Sequence, residues 1–346
     1  MNNKKWLNYL IITSTIILFF ILCFNYIVDP FQHYRKASLY TFDYSGNQRY
    51  LNPGLAKNYD YKSIIIGTSM TENFPLDKTE IFMNKPIKLS IAGAKSSEFK
   101  EILNISFSLH EIETVLFGLD VYSFLNNDVI NDKLPDYLYD NSFFNDYKYL
   151  LNLDTLKRSF NVLFSKNNNK NKIIDNYNHM FEWQNNYQNK FTLENVINNW
   201  KNRDIKFNHK KSLWNLDQLK SNFDNNLFQI INNNKNTKFI IFFPPYSILT
   251  YKDWEEKESL NAILRFKKYV YDKLISLENV YLYDFQVAKD ITHNLNNYKD
   301  ITHYSQSISL WIIDQIYKNN FLLNSENENK IEIDFRQQLN QYQIDF

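Results

Sequence analysis

Apolar positions along this chain follow three patterns. The first is an uninterrupted run from Trp6 to Val28, with no charged residue and mostly Leu, Ile and Phe. As a helix, roughly 23 residues span about 34 Å, enough to cross a hydrocarbon core near 30 Å. Lys4 and Lys5 precede the run, which by the positive-inside rule predicts a cytoplasmic amino terminus. Trp6, Tyr9 and Tyr26 stand near its ends, where interfacial aromatics belong. A cleavable signal peptide would have a shorter apolar region followed by small residues. Here the run closes on Asn25-Tyr26-Ile27-Val28-Asp29-Pro30. The expectation is an uncleaved anchor within residues 1–28, with the chain after it outside the cytoplasm.

The second pattern is a set of short β-branched or aromatic runs alternating with helical periodicity. Residues 29–60 read as a polar connector, with turn signals at Ser45-Gly46 and Asn52-Pro53-Gly54. Strands are then predicted at Ile64–Ile66, Ile87–Ile91, Thr114–Leu119, Lys238–Phe243 and Val280–Phe285. Helices are predicted from Ser96 or Ser97 to about Leu109, from about Trp254 to Ser276, and from Ser305 to Tyr317. Strands separated by helices imply a parallel sheet covered on both faces. The fold class expected is α/β, three layers around a central parallel five-stranded sheet, over residues 61–325. The third pattern is weak periodicity in an Asn-, Lys-, Tyr- and Phe-rich stretch, about residues 125–236. It reads as a helical insertion, either a cap over a site or a surface elaboration. Residues 326–346 read as a tail.

Composition narrows the function. Hydrophobic residues at 44% and aromatics at 17% are ample for a core. Lys+Arg at 39 against Asp+Glu at 38, without a long basic run, argue against nucleic-acid binding through a broad basic face. The single cysteine, Cys23, lies in the apolar run, so the region after it has neither cysteine chemistry nor Cys-ligated zinc.

Two segments carry chemistry. Gly67-Thr68-Ser69-Met70 directly follows the first strand, placing a Ser at the carboxyl end of a parallel strand, where open α/β sheets collect ligands. Asp300-Ile301-Thr302-His303 supplies a carboxylate and an imidazole three residues apart before the last helix. A serine nucleophile needs a base, and the base an orienting carboxylate. Alternatives exist for each. A Gly-x-Ser after a strand is common, and Asp-x-x-His also describes a capped helix start. Asp290-Ile291-Thr292-His293 repeats the same four letters. The second copy is preferred because Tyr304-Ser305 and the helical pattern Ile308, Ile312, Ile316 follow it. The paired copies also admit a His/Asp metal site, a reading that leaves Ser69 and Gly93 unexplained. His33, His110, His179 and His209 show no ligand spacing and read as surface or packing residues.

In this order, Gly67-Thr68-Ser69 after strand one, Gly93 after strand two, Gly118-Leu119-Asp120 ending strand three and the late Asp300-Ile301-Thr302-His303 resemble the blocks of the SGNH (GDSL-like) hydrolase superfamily. Tyr298 to Ser305 and Ile241-Phe242-Phe243-Pro244-Pro245-Tyr246 are similar to its membrane-anchored members, the teichoic-acid D-alanyl-transfer and alginate O-acetylation proteins. The resemblance covers residues 60–125 and 237–318. It implies Ser69 as nucleophile, His303 as base and Asp300 as the group holding the imidazole, with no metal or cofactor. It also implies Ser69 and Gly93 N–H groups in an oxyanion hole.

One block departs. The family presents an Asn where this chain has Asp120, and an ionised carboxylate accepts hydrogen bonds but cannot donate. Asn73 is a candidate substitute donor. Asp120 alternatively caps the next turn, and on the catalytic reading Asp120→Asn is expected to keep or raise activity. The function implied is an extracytoplasmic O-acyl esterase or acyltransferase on a cell-envelope glycan, with a membrane-embedded acyltransferase as a possible partner. The alternative is a catalytically inactive scaffold or glycan-binding partner of such an acyltransferase.

Overall fold

Each of the five apolar runs forms a strand of one all-parallel sheet: β1 Ser63–Ile66, β2 Pro86–Lys88, β3 Thr114–Gly118, β4 Lys238–Phe243 and β5 Val280–Asp284. The computed structural model describes residues 3–42, 44, 46–125, 134–140, 142–164, 177–203 and 214–346. The sheet order is β2-β1-β3-β4-β5, a doubly wound order whose direction of winding reverses between β1 and β3. Ile64 of β1 pairs with Ile87 on one side and Val115 on the other, so the reversal point lies beside the most buried strand.

Alternation along β4 shows both faces covered. Phe239 meets Phe107 of helix Ser96–Leu109 (ring centroids 6.3 Å apart), and Phe243 meets Lys267 of helix Leu260–Leu274. Phe242 points the other way, to Phe74 and Phe285 at 5.7 and 5.9 Å. Rings i and i+4 on one face and i+3 on the other are the period-two signature of a strand between two layers.

The chain forms two compact units, Met1–Asp60 with Lys133–Asn176, and Tyr61–Asp132 with Tyr177–Phe346. The second holds the sheet. The first holds helix Asn3–Val28, which is long and apolar enough to cross a membrane. Residues 29–60, read from sequence as a connector, include helix Gln48–Asn58 and fold around the end of that long helix. There the Asp29 carboxylate accepts the N–H groups of His33, Tyr34 and Arg35 and the Tyr149 hydroxyl. The stretch read as a single insertion over 125–236 is therefore shared between the units.

Two boundaries also differ. The helix expected from Trp254 to Ser276 is two helices, Ile248–Glu256 and Leu260–Leu274. They are separated at Glu258, whose φ of 56° leaves the helical region. The expected tail contains helix Glu328–Gln341, docked through buried Phe335 and Leu339. Phe335 stands edge-on to Tyr251, with ring centroids 4.8 Å apart.

Candidate active site

Ser69 begins a four-residue helix, Ser69–Glu72, one turn beyond β1. Thr68 caps it, its hydroxyl accepting the Met70 N–H at 3.3 Å. The turn is held by close packing. A Cβ on Gly67 or Gly118 would lie 2.8 or 2.5 Å from the Thr71 methyl, so only glycine lets Thr71 wedge between β1 and β3. The Thr71 hydroxyl also donates to Thr68 O at 3.0 Å and lies 2.7 Å from Ser90 Oγ. The sequence Gly-Thr-Ser-Met-Thr thus forms a tight strand-to-helix turn at the reversal point of the sheet.

The segment carrying Asp300 and His303 comes from the far end of the chain and is tied to β4 and to this turn. The Tyr298 hydroxyl donates to Pro245 O at 2.8 Å, and the Ser247 and Thr250 hydroxyls donate to Ile301 O. The Tyr304 hydroxyl donates to Met70 O at 2.6 Å. With both segments fixed, Ser69 Oγ lies 2.9 Å from His303 Nε2, although 234 residues separate them. On the other side of the ring, His303 Nδ1 lies 3.0 and 2.9 Å from Asp300 Oδ1 and Oδ2. The carboxylate accepts Nδ1–H, which leaves Nε2 unprotonated and facing the serine hydroxyl. Burial opposes ionisation of Asp300. The His303 ring and backbone N–H, with Lys299 at 3.5 Å, outweigh it and hold the carboxyl well below the usual range. The site thus combines an exposed-edge hydroxyl, an aligned base and an ionised orienting group, as nucleophilic attack on an acyl carbon requires.

Gly93 and Ser69 stand at neighbouring strand ends, because Ile91 N–H donates to Gly67 O at 2.9 Å. Ser69 is the first residue of its helix, so its N–H has no intrahelical acceptor. Gly93 adopts φ 59°, and the space where its Cβ would stand is open. The Asp120 carboxylate is committed elsewhere. Oδ2 accepts the Thr68 hydroxyl at 2.8 Å, while Oδ1 accepts the Tyr246 hydroxyl at 2.7 Å and the Tyr122 N–H at 3.0 Å. It caps the 3₁₀ turn Val121–Phe124 and braces the residue before the serine. Burial pushes its carboxyl pKa up against those three donors. Asn73 Oδ1 accepts the N–H groups of Trp183 and Gln184, at 3.1 and 3.2 Å. Its Nδ2 is buried without a partner among the described residues.

Three contributors do not show in the sequence pattern. Trp183, from the weakly patterned stretch, donates Nε1–H to Ser69 O at 3.1 Å and meets the His303 ring edge-on, centroids 5.7 Å apart. Lys299 Nζ lies over the Trp183 and Tyr187 rings at 4.7 and 4.5 Å. Lys88, fully buried in β2, donates to Glu72 O at 2.6 Å and Met180 O at 2.9 Å. It ties the serine helix to the segment that carries Trp183. Burial pushes its ammonium pKa down to about 8.

The other histidines stand apart from this arrangement. His293 ends helix Lys289–Thr292, with Nδ1 3.0 Å from Thr292 Oγ1 and its ring edge-on to Tyr342. His33 faces Asp146, the His110 ring lies tilted against Tyr61, and His179 pairs with Glu182. His209 lies outside the described residues. Among the described residues no group of three or more His, Cys, Asp or Glu side chains is placed to hold a metal ion. No protein-family model matches the chain, and no curated protein matches it in sequence.

Proposed function

We propose that this protein is a serine-dependent O-acyl esterase or acyltransferase, anchored by its N-terminal helix and acting outside the cytoplasm on an envelope glycan. The single observation that carries the chemistry is the hydrogen-bonded series Ser69–His303–Asp300, at 2.9 Å for each link. The substrate class and the side of the membrane rest on the SGNH resemblance and on Lys4 and Lys5 before the apolar run. Ser69 Oγ attacks the ester carbonyl while its proton passes to His303 Nε2. The bond to the leaving alcohol breaks, and His303 returns the proton to that alcohol. Water, or a sugar hydroxyl, then repeats the cycle on the acyl-serine. Asp300 stays ionised and steadies the imidazolium. The Ser69 and Gly93 N–H groups supply the oxyanion donors, with Asn73 Nδ2 as a third candidate. That Asp120 presents no donor favours the second reading, an inactive scaffold beside a membrane acyltransferase.

Detergent-solubilised full-length protein given an aryl acetate, with and without a glycan acceptor, separates the readings. Acyl release is expected to fall by about 10³-fold or more in Ser69→Ala and in His303→Ala, and to stay within a few-fold of wild type in His293→Ala. Release that is insensitive to both of the first two changes would remove the triad from the account.

A further inference from the structure

We infer that helix Leu153–Phe164 is a second membrane contact, lying in the interface of the bilayer that its neighbour, helix Asn3–Val28, crosses. The inference rests on that helix being embedded in lipid and is independent of the proposed chemistry. Leu153–Phe164 presents three faces. Thr155 and Ser159 are buried, and the Ser159 hydroxyl donates to Asn25 Oδ1 of the apolar helix at 2.8 Å. Asp154 and Asn161 form an exposed polar face, and exposed Lys157 stands at its border with the apolar one. Leu153, Leu156, Phe160, Leu163 and Phe164, spaced at three, four and seven residues, share the remaining face. Among the described residues much of that face is uncovered: Leu153 is 68% exposed, Phe160 51% and Phe164 68%, with Leu156 and Leu163 half-buried.

Continuity with the embedded helix identifies what covers it. The Phe160 ring packs on Phe24, centroids 4.9 Å apart, and Asn25 Nδ2 donates to Leu150 O at 2.8 Å. Phe24 lies four residues before Val28, about 6 Å along the helix, so Phe160 sits level with the outermost part of the apolar run. That depth is the boundary of headgroups and acyl chains, where amphipathic helices bury an apolar face by about 5–10 Å. Arg35, with its guanidinium 4.5 Å from the centre of the Tyr26 ring, marks the same level with a cation and an aromatic. Lys157 beside the stripe would face the headgroups.

The test uses the unaltered full-length chain in nanodiscs of phosphatidylethanolamine and phosphatidylglycerol carrying a diazirine in the acyl chain. After photolysis, lipid adducts located by peptide mass spectrometry are expected in residues 153–164 as well as 3–28. Adducts in 3–28 alone overturn the inference and leave the anchor standing; adducts in neither overturn both. Spin labels on a Cys23→Ser background give the orientation. Phe160→Cys and Phe164→Cys should be several-fold more accessible to oxygen than to a nickel chelate, with Asp154→Cys and Asn161→Cys reversed. Equal nickel access at all four sites, or broadening at residue 160 that grows with protein-to-lipid ratio and so marks a second copy, overturns it.

Discussion

Both oxygens of Asp120 are taken, one by the turn that presents Ser69 and the other by Tyr246 and Tyr122, and this changes what the sequence suggests about its replacement. With Oδ2 on the Thr68 hydroxyl and Oδ1 on Tyr246 and Tyr122, an amide could preserve only one accepting oxygen. Its NH₂ would face a hydroxyl that now donates and would have to turn its hydrogen elsewhere, losing one bond that braces either Thr68 or the loop after β4. Asp120→Asn is therefore expected to lower unfolding stability by about 1–3 kcal/mol and to slow acyl release, rather than keep or raise it. Thermal denaturation with a parallel esterase assay checks this, and a gain in both would restore the expectation of an unfavourable charge facing the oxyanion. At this scale Ser69, Asp300 and His303 were legible because their types and order carry the chemistry. The choice of the second Asp-x-x-His rests on Tyr304-Ser305 and the helical pattern after it, and in the structure the Tyr304 hydroxyl donates to Met70 O. Trp183 was not legible, since nothing in a run of Asn, Gln and aromatics marks which indole will meet a serine carbonyl.

At the scale of elements, the serine turn is built by three strands at once: Gly67 after β1, Ser90 after β2 and Gly118 ending β3 surround Thr71. Gly118→Ala would place a methyl 2.5 Å from the Thr71 methyl and 3.2 Å from Phe242 Cζ, so that these side chains would have to shift. It is expected to cost about 1–3 kcal/mol and to reduce acyl release although no triad residue changes. Gly93→Ala meets open space and should cost only the roughly 1–2 kcal/mol of its left-handed backbone. A Gly118→Ala protein as stable as wild type in chemical denaturation would argue against the wedge. Four strands were readable to within a residue, because buried parallel strands are continuous apolar runs, whereas β2, expected over Ile87–Ile91, ends at Lys88. The break at Glu258 was not, since no Gly or Pro marks it. Helix Glu328–Gln341 was missed because only Phe335 and Leu339 of its side chains are buried.

The whole molecule joins two units with different sensitivities. The sheet unit carries the candidate site. The unit containing the apolar helix is organised around Asp29, His33, Asp146 and Tyr149. Burial, with help from Lys57, holds the His33 imidazole well below its ordinary value, against the opposing pull of Asp146. Its folded pKa is depressed, so between that value and about 6.5 the unfolded chain binds a proton that the folded unit excludes. The stability from neutral His33 is present above about pH 6.5 and lost as the pH falls through its folded pKa, by at most about 1.4 kcal/mol per pH unit. Protease resistance of residues 29–60 should therefore weaken between pH 7 and 5, and the slope should flatten in His33→Gln. A slope unchanged by that substitution would assign the acid sensitivity elsewhere. The parallel sheet covered on both faces was legible from the alternation of runs, whereas the division into two units depends on Asn25 and Asp29 reaching residues over 100 positions away.

The central claim is that Ser69 is a nucleophile activated by His303. It is tested most directly by treating the full-length protein with a fluorophosphonate and locating the adduct by intact and peptide mass spectrometry. The account predicts one adduct, on Ser69, formed at a rate that collapses in His303→Ala and persists in His293→Ala. An unlabelled Ser69 in folded protein, or labelling indifferent to His303, would contradict it.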